Sequence, residues 1–200
     1  MEHFYTIQGE GAFTGHASYF IRLGGCDVGC HWCDVKESWP IDAHPKYEID
    51  SLTQLVTAEK GKIAVITGGE PLMHNCMPLT NALQNAGIRT HIETSGAFEP
   101  TGNWDWFCLS PKKFKLPVKS AYELADELKM IIFNKSDFEF AEEQLAKLIE
   151  YSPDNQLNTK LFLQPEWSKR EEMMPAIVSY VKAHSRWKIS LQTHKYLNIP

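Results

Sequence analysis

Two hundred residues, 43% hydrophobic and 22% charged, are an ordinary globular composition, enough for one domain over residues 1–200 with a sizeable core. The formal charge of −5 argues against nucleic acid and anionic lipid as partners, and no apolar run approaches the ~18–20 residues of a membrane helix. Met1-Glu2-His3-Phe4-Tyr5 lacks the basic-then-apolar layout of a signal peptide, so the expected compartment is the cytoplasm, where crowded cysteines point to metal or catalytic use over disulfides.

The first expected strand, Tyr19–Leu23, runs into a glycine-rich loop, Cys26-Asp-Val-Gly-Cys30-His-Trp-Cys33, with the spacing C-x3-C-x2-C. Cysteine thiolates are the usual ligands of iron–sulfur clusters, and a four-iron cluster ordinarily takes four. Three in one loop leave an iron with an open coordination site, where a metal centre can do chemistry. Structural zinc on the three cysteines and His31 is the competing reading, although zinc ligands usually come as two separated pairs.

The next strand, Ile63–Thr67, ends in Gly68-Gly69-Glu70-Pro71, a turn that lets backbone approach a ligand and offers a carboxylate to an ammonium. Leu79, Ala82, Leu83 and Ala86 form a helical stripe closed by Gly87, with Cys76 a buried small hydrophobe at its start. Strands Thr90–Thr94 and Trp106–Ser110 follow, the second carrying Cys108, also expected to be buried. Between Gly96 and Lys119 no helical pattern appears, so one crossover is loop-like, and Lys112-Lys113-Phe114-Lys115 reads as a solvated loop. After strand Leu128–Phe133, the stripe Phe138, Ala141, Leu145 and Leu148 predicts a helix with Asp137 as N-cap. Strand Leu161–Gln164 precedes a helix marked by Ile177, Val178 and Val181, with Pro175 near its first turn, and strand Ile189–Gln192 comes last.

Continuously apolar strands alternating with helices predict a parallel sheet, closed or partly closed, in an α/β fold. Six or seven strands and three or four helices are too few for a full eightfold barrel. Thr67, Glu93 with Thr94, Ser110, Gln164 and Gln192 all fall at strand ends, where parallel architectures gather their ligand sites.

The cysteine loop, with Trp32 before its last cysteine, and Thr67-Gly68-Gly69-Glu70-Pro71 after the next strand resemble the two hallmarks of radical S-adenosylmethionine (SAM) enzymes. Nearly end to end, the chain resembles the 7-carboxy-7-deazaguanine synthase family of the queuosine pathway. The resemblance is carried by Phe4-Tyr-Thr-Ile-Gln-Gly-Glu-Gly11, Phe20-Ile-Arg-Leu-Gly-Gly-Cys26, Glu93-Thr-Ser-Gly96, Ser110-Pro-Lys112, Gln164-Pro165 and Gln192-Thr-His-Lys-Tyr-Leu-Asn-Ile-Pro200. Most radical SAM enzymes lack the first and last of these segments.

The resemblance implies an incomplete, abridged TIM-type (β/α) barrel, a homodimer, and a lyase converting 6-carboxy-5,6,7,8-tetrahydropterin to 7-carboxy-7-deazaguanine with loss of ammonia. Reductive SAM cleavage would start a radical ring contraction, with electrons from a donor such as flavodoxin. Cys26, Cys30 and Cys33 would hold a [4Fe-4S] cluster. Trp32, Cys33, Asp34, Gly69, Ser110, Pro111, Lys112, Gln164, Pro165, Glu166 and Trp167 would line SAM. Ile7, Gln8, Gly9, Arg22, Thr67 and Pro200 would hold the pterin, Arg22 as a fork for its carboxylate and Pro200 through a terminal carboxylate. Gln8 and Glu10 can match the donor and acceptor edge of such a ring. One position departs from the family pattern. Many members carry Thr or Ser after the Cys-Asp pair to help bind Mg2+, and Val35 has no oxygen to offer a hard cation. That argues for weak Mg2+ dependence, or for a site completed by oxygens such as those of Asp34 and water. Two alternatives carry different expectations: a glycyl-radical activase would not need the opening and closing motifs, and a zinc-stabilised binding module would be colourless and bind no SAM.

Overall fold

The structure, a computed structural model, describes residues 1–151 and 158–200. Its strands are β1 (Glu2–Ile7), β2 (Ala17–Leu23), β3 (Ile63–Gly68), β4 (Arg89–Thr94), β5 (Trp106–Leu109), β6 (Glu127–Ile132), β7 (Lys160–Pro165) and β8 (Lys188–Ile189). They form one sheet in chain order, parallel throughout except that β1 pairs antiparallel with β2. Helices α1 (Ile49–Ala58), α2 (Met77–Asn85), α3 (Lys119–Glu123), α4 (Asp137–Tyr151) and α5 (Arg170–Ala183) lie in the crossovers, and α6 (Thr193–Leu197) follows β8. The result is an α/β sheet with β1 and β8 at its two edges, not closed into a barrel.

Apolar strands covered on both faces explain the core. Ile63, Ala64, Val65 and Ile66 are all buried, with α1 and α2 supplying Leu52, Val56, Leu79 and Leu83. A second cluster joins β4 to β7 with α3, α4 and α5, through Ile92, Leu109, Met130, Leu145 and Ile177 among others. No regular element bridges β4 to β5, the expected loop-like crossover. Gly87 closes α2 at φ +76°, its N–H donating to the Gln84 carbonyl at 2.9 Å.

Four local expectations need correction. β1 was not expected: its residues are all exposed or half-buried, the pattern of an edge strand rather than a continuous apolar run. β8 stops at Ile189, so Leu191 and Gln192 leave the sheet toward the strand-end face. Asp137 is the first residue of α4 rather than its N-cap; its carboxylate turns back to accept from the N–H groups of Phe133 and Asn134, both at 2.8 Å. Pro175 sits well inside α5, which begins at Arg170, where the ring removes one internal hydrogen bond without ending the helix. Among the described residues no helix is long and apolar enough to cross a membrane.

Beneath the strand-end face lies a buried imidazole. His91 is 3% exposed, packed edge-on to Phe13 at 4.4 Å, and its Nε2 finds no hydrogen-bond partner among the described residues. Burial, with the Arg89 guanidinium adding to it, pushes its pKa down to about 4. The unfolded chain takes up this proton near pH 6.5 and the folded chain only near 4. The contribution is therefore complete above pH 6.5 and lost as pH falls toward 4, by about 3 kcal/mol. Chemical denaturation across that range should show His91→Phe losing less stability than the parent by about that amount; parallel curves would disprove it.

Candidate active site

The C-terminal ends of the strands surround a cavity of about 260 Å3. All six polar residues expected there, Thr67, Glu93, Thr94, Ser110, Gln164 and Gln192, line it. So do all the residues assigned above to cluster, SAM and pterin except Pro111, which is buried outside the lining.

One part of the lining is the cysteine loop, seated by backbone on the turn after β3. The register Arg22↔Thr67 and Leu23↔Gly68 carries the two loops off adjacent strands together. Gly69 N–H then donates to Leu23 O at 2.9 Å and Glu70 N–H to Gly25 O at 2.8 Å. A Cβ on Gly69 would stand 2.2 Å from Gly25 O, so only glycine permits this approach. The turn's glycines thus serve the cysteine loop at least as directly as any ligand.

Cys26, Cys30 and Cys33 face the cavity, packed with Val28, Ala97, Trp32 and Phe98. Burial pushes the Cys26 thiol up, and that of Cys30 up to about 11, with the Lys112 ammonium working against the Cys30 shift. Held as thiolates, they need a strong positive centre, which iron supplies. Three sulfurs on one loop, in apolar shelter and opening onto a cavity, fit a four-iron cluster. They fit zinc poorly: His31 turns away to pack against Phe114 and Phe133, with ring centroids at 5.5 and 5.2 Å. Among the described residues no three His, Cys, Asp or Glu side chains are grouped to hold a single ion. Cys76 and Cys108 are buried outside the loop, as expected.

Glu70, the carboxylate offered to an ammonium, lines the cavity and already has partners inside the protein. It is 1% exposed, and its two oxygens accept from Leu72 N–H, the Thr94 hydroxyl, and both N–H and hydroxyl of Ser95. Its carboxylate locks the turn after β3 to the end of β4. Lys112 is buried enough to lower its pKa and donates to the Ser110 carbonyl and hydroxyl at 2.5 and 2.7 Å.

A polar network also lines the cavity. Gln8 Nε2 donates to Glu93 at 2.8 Å, Gln192 Nε2 donates to Glu10 at 2.9 Å, and Lys129 donates to both carboxylates. Arg22 is not a free fork, since one nitrogen is 2.9 Å from Glu2 and its guanidinium lies 5.1 Å from the Phe4 ring centroid. The tail returns across the open side of the sheet: Thr193 N–H donates to Gly9 O at 2.9 Å, α6 turns at Asn198 (φ 55°), and Pro200 reaches the cavity wall beside Thr6. His194 packs on Gly9 so closely that a Cβ there would lie 2.2 Å from its Nδ1. Asp34 accepts from Lys195 at 2.8 Å, and Val35 lines the cavity with an apolar side chain.

Lys129 and His194 received no role from the sequence. For Lys129 the signal was present, a lysine inside the otherwise apolar run Leu128–Phe133, where a charge persists only if paired. His194 stood within the closing motif, but only the fold shows that it reaches Gly9.

The family model described as the radical SAM superfamily matches residues 20–174. A 7-carboxy-7-deazaguanine synthase of Flavobacterium psychrophilum is 60% identical over 200 residues, covering 100% of this chain and 91% of the relative. The synthase of the same name from Escherichia coli K12 is 37% identical, covering 99% of this chain and 97% of its own. The crystal structure of QueE from Escherichia coli superposes with a TM-score of 0.81 at 32% identity, covering 95% of this chain and 91% of that one.

Proposed function

The chain belongs to the radical SAM superfamily and, within it, to the 7-carboxy-7-deazaguanine synthases, and from that premise we propose how its residues divide one cavity between cofactors and substrate. The reaction is the conversion of 6-carboxy-5,6,7,8-tetrahydropterin to 7-carboxy-7-deazaguanine with loss of ammonia, a lyase step of queuosine biosynthesis. The observation that carries the division is that the three cysteines and the Gln8–Glu93–Lys129–Glu10 network line one and the same cavity.

When bound, the [4Fe-4S] cluster and SAM supply the one-electron chemistry that initiates the ring contraction. Cys26, Cys30 and Cys33 hold the cluster. Trp32, Asp34, Gly69, Ser110, Lys112 and Gln164 to Trp167 line SAM, with Pro111, next to Ser110 in the chain, buried outside the lining. Ile7, Gln8, Gly9, Arg22, Thr67 and Pro200 hold the pterin. Carboxylates and amides there accept from and donate to its ring edge, and the unpaired part of the Arg22 guanidinium takes its carboxylate. The tail over Gly9 restricts solvent at the open side of the sheet. On the family resemblance, the enzyme works as a cytoplasmic homodimer reduced by a donor such as flavodoxin.

Mg2+ does not fit as readily. The Val35 side chain offers no oxygen, its carbonyl already accepts from Ser38, and Asp34 accepts from Lys195 at 2.8 Å. Turnover in EDTA should rise no more than about twofold on adding Mg2+; a steep, saturable requirement would contradict this.

The test of the whole assignment is anaerobic turnover of the carboxypterin by the iron-loaded protein with SAM and dithionite, followed by mass spectrometry. A product lighter by one ammonia is expected; none with cluster and SAM bound would overturn the assignment.

A further inference from the structure

Among the described residues near the proposed pterin site, Lys129 is the one strand cation that is almost fully buried. Its side chain is 3% exposed, and its Nζ is 2.5 Å from Glu10 Oε2 and 2.9 Å from Glu93 Oε2. The other charged and titratable groups around it are Cys108 on β5, Glu127 on β6 itself and Lys112 beyond β5, with His194 facing Glu10 from the tail. Glu127 is engaged elsewhere, accepting from Ala12 N–H and Trp106 Nε1, both at 3.1 Å. Burial keeps Cys108 a neutral thiol, so it brings no charge.

We propose that Lys129 is a positioning residue that sets substrate specificity. Its ammonium bridges the Glu10 and Glu93 carboxylates and occupies the donor role between them, so that this part of the cavity presents acceptors and selects ring edges bearing N–H donors over ring edges bearing carbonyls. The inference rests on the pterin reading above.

The physical argument is the fate of two half-buried carboxylates converging on one buried nitrogen. With Lys129 between them, burial opposes the charge on Glu10, but attraction to the ammonium outweighs it and holds its pKa low. Lys129 is in turn held protonated against its own burial by Glu10 and Glu93. Remove the cation and two half-buried carboxylates are left facing each other without their shared counter-charge, an arrangement that favours taking up a proton. One of them then becomes a donor, and a carbonyl-bearing edge finds a partner it lacked. The remaining hydrogen bonds fix the geometry without fixing the charge, since Gln8 and Gln192 are neutral.

Binding is measured by anaerobic calorimetry on protein carrying cluster and SAM, with the carboxytetrahydropterin and its analogue in which the 2-amino group is replaced by a carbonyl. The parent should bind the pterin with a flat pH profile and reject the analogue by on the order of 100-fold. Lys129→Met should keep iron content and SAM affinity, shrink that discrimination to about tenfold or less, and lose about tenfold in pterin affinity between roughly pH 8 and 6. Lys129→Arg, which keeps the charge, should restore both. If Lys129→Met does not fold, Lys129→Met/Glu10→Gln replaces it, and the same narrowing of discrimination is expected because the new amide supplies a donor. Undiminished discrimination in the Met variant, or an Arg variant as relaxed as Met, overturns the role of Lys129. Failure of the parent to bind the pterin at all would instead overturn the reading of the site.

Discussion

Cys26→Ala, Cys30→Ala and Cys33→Ala should each reduce turnover to background, while Cys76→Ala and Cys108→Ala retain cluster and activity. The three loop thiols are the cavity-facing cysteines, and a four-iron cluster with one iron left open has no spare protein ligand to lose. Burial raises the Cys26 and Cys30 thiols, so without iron they stay protonated. Cys76 instead sits at the start of α2, its thiol donating to the Pro71 carbonyl at 3.4 Å, and Cys108 is within β5. Their truncation costs packing, about 1–2 kcal/mol, without removing a ligand. Iron content and absorbance near ~400 nm after anaerobic reconstitution check the assignment. Loss of iron from Cys76→Ala or Cys108→Ala, with retention in any loop variant, would refute it.

Gly69→Ala should cost at least about 100-fold in turnover, with iron loading and SAM affinity both reduced and the fold retained. The added methyl would meet Gly25 O at 2.2 Å, Gly25 C at 2.7 Å and the Cys26 Cβ at 3.1 Å. Two of these are backbone atoms of a loop anchored on its far side, where Gly25 N–H donates to Ser38 O at 2.6 Å and Cys26 N–H to Trp39 O at 3.2 Å. The clash cannot be relieved by a rotamer change, so the cysteine loop must move away from β3, and misplacement by about 1 Å is enough to disable a preorganised site. Iron analysis, SAM binding and circular dichroism on one preparation separate the outcomes. Normal SAM affinity and iron content in this variant would show that the contact between the two loops does not seat the cluster.

Much of the fold was legible because its signals are local. Continuous apolar runs become strands buried on both faces, and Ile63–Thr67, Thr90–Thr94 and Leu161–Gln164 each lie within an observed strand. The edge strand β1 and the helix α1 were missed for one reason: each buries only part of its surface, and half-exposed elements carry a diluted pattern. Asp137 misled because a carboxylate at a helix start can accept either from the helix's own N–H groups or from those just before it, and sequence does not distinguish the two.

What the sequence by itself determined is the chemistry of the ligand set: C-x3-C-x2-C, the Gly-Gly-Glu turn and polar residues at strand ends are short-range facts about residue type and spacing. What only the tertiary structure decided is pairing across distance. Nothing local in Gly69 says that its missing side chain makes room for Gly25, or in Glu70 that its carboxylate is spent on Thr94 and Ser95. Lys129 meets Glu10 and Glu93 across 119 and 36 residues of chain, and Arg22 turns to Glu2 across the antiparallel edge. Charges and backbone groups interact through space, and the neighbours that fix a buried ion's protonation are set by strand order and register, which no window of sequence contains.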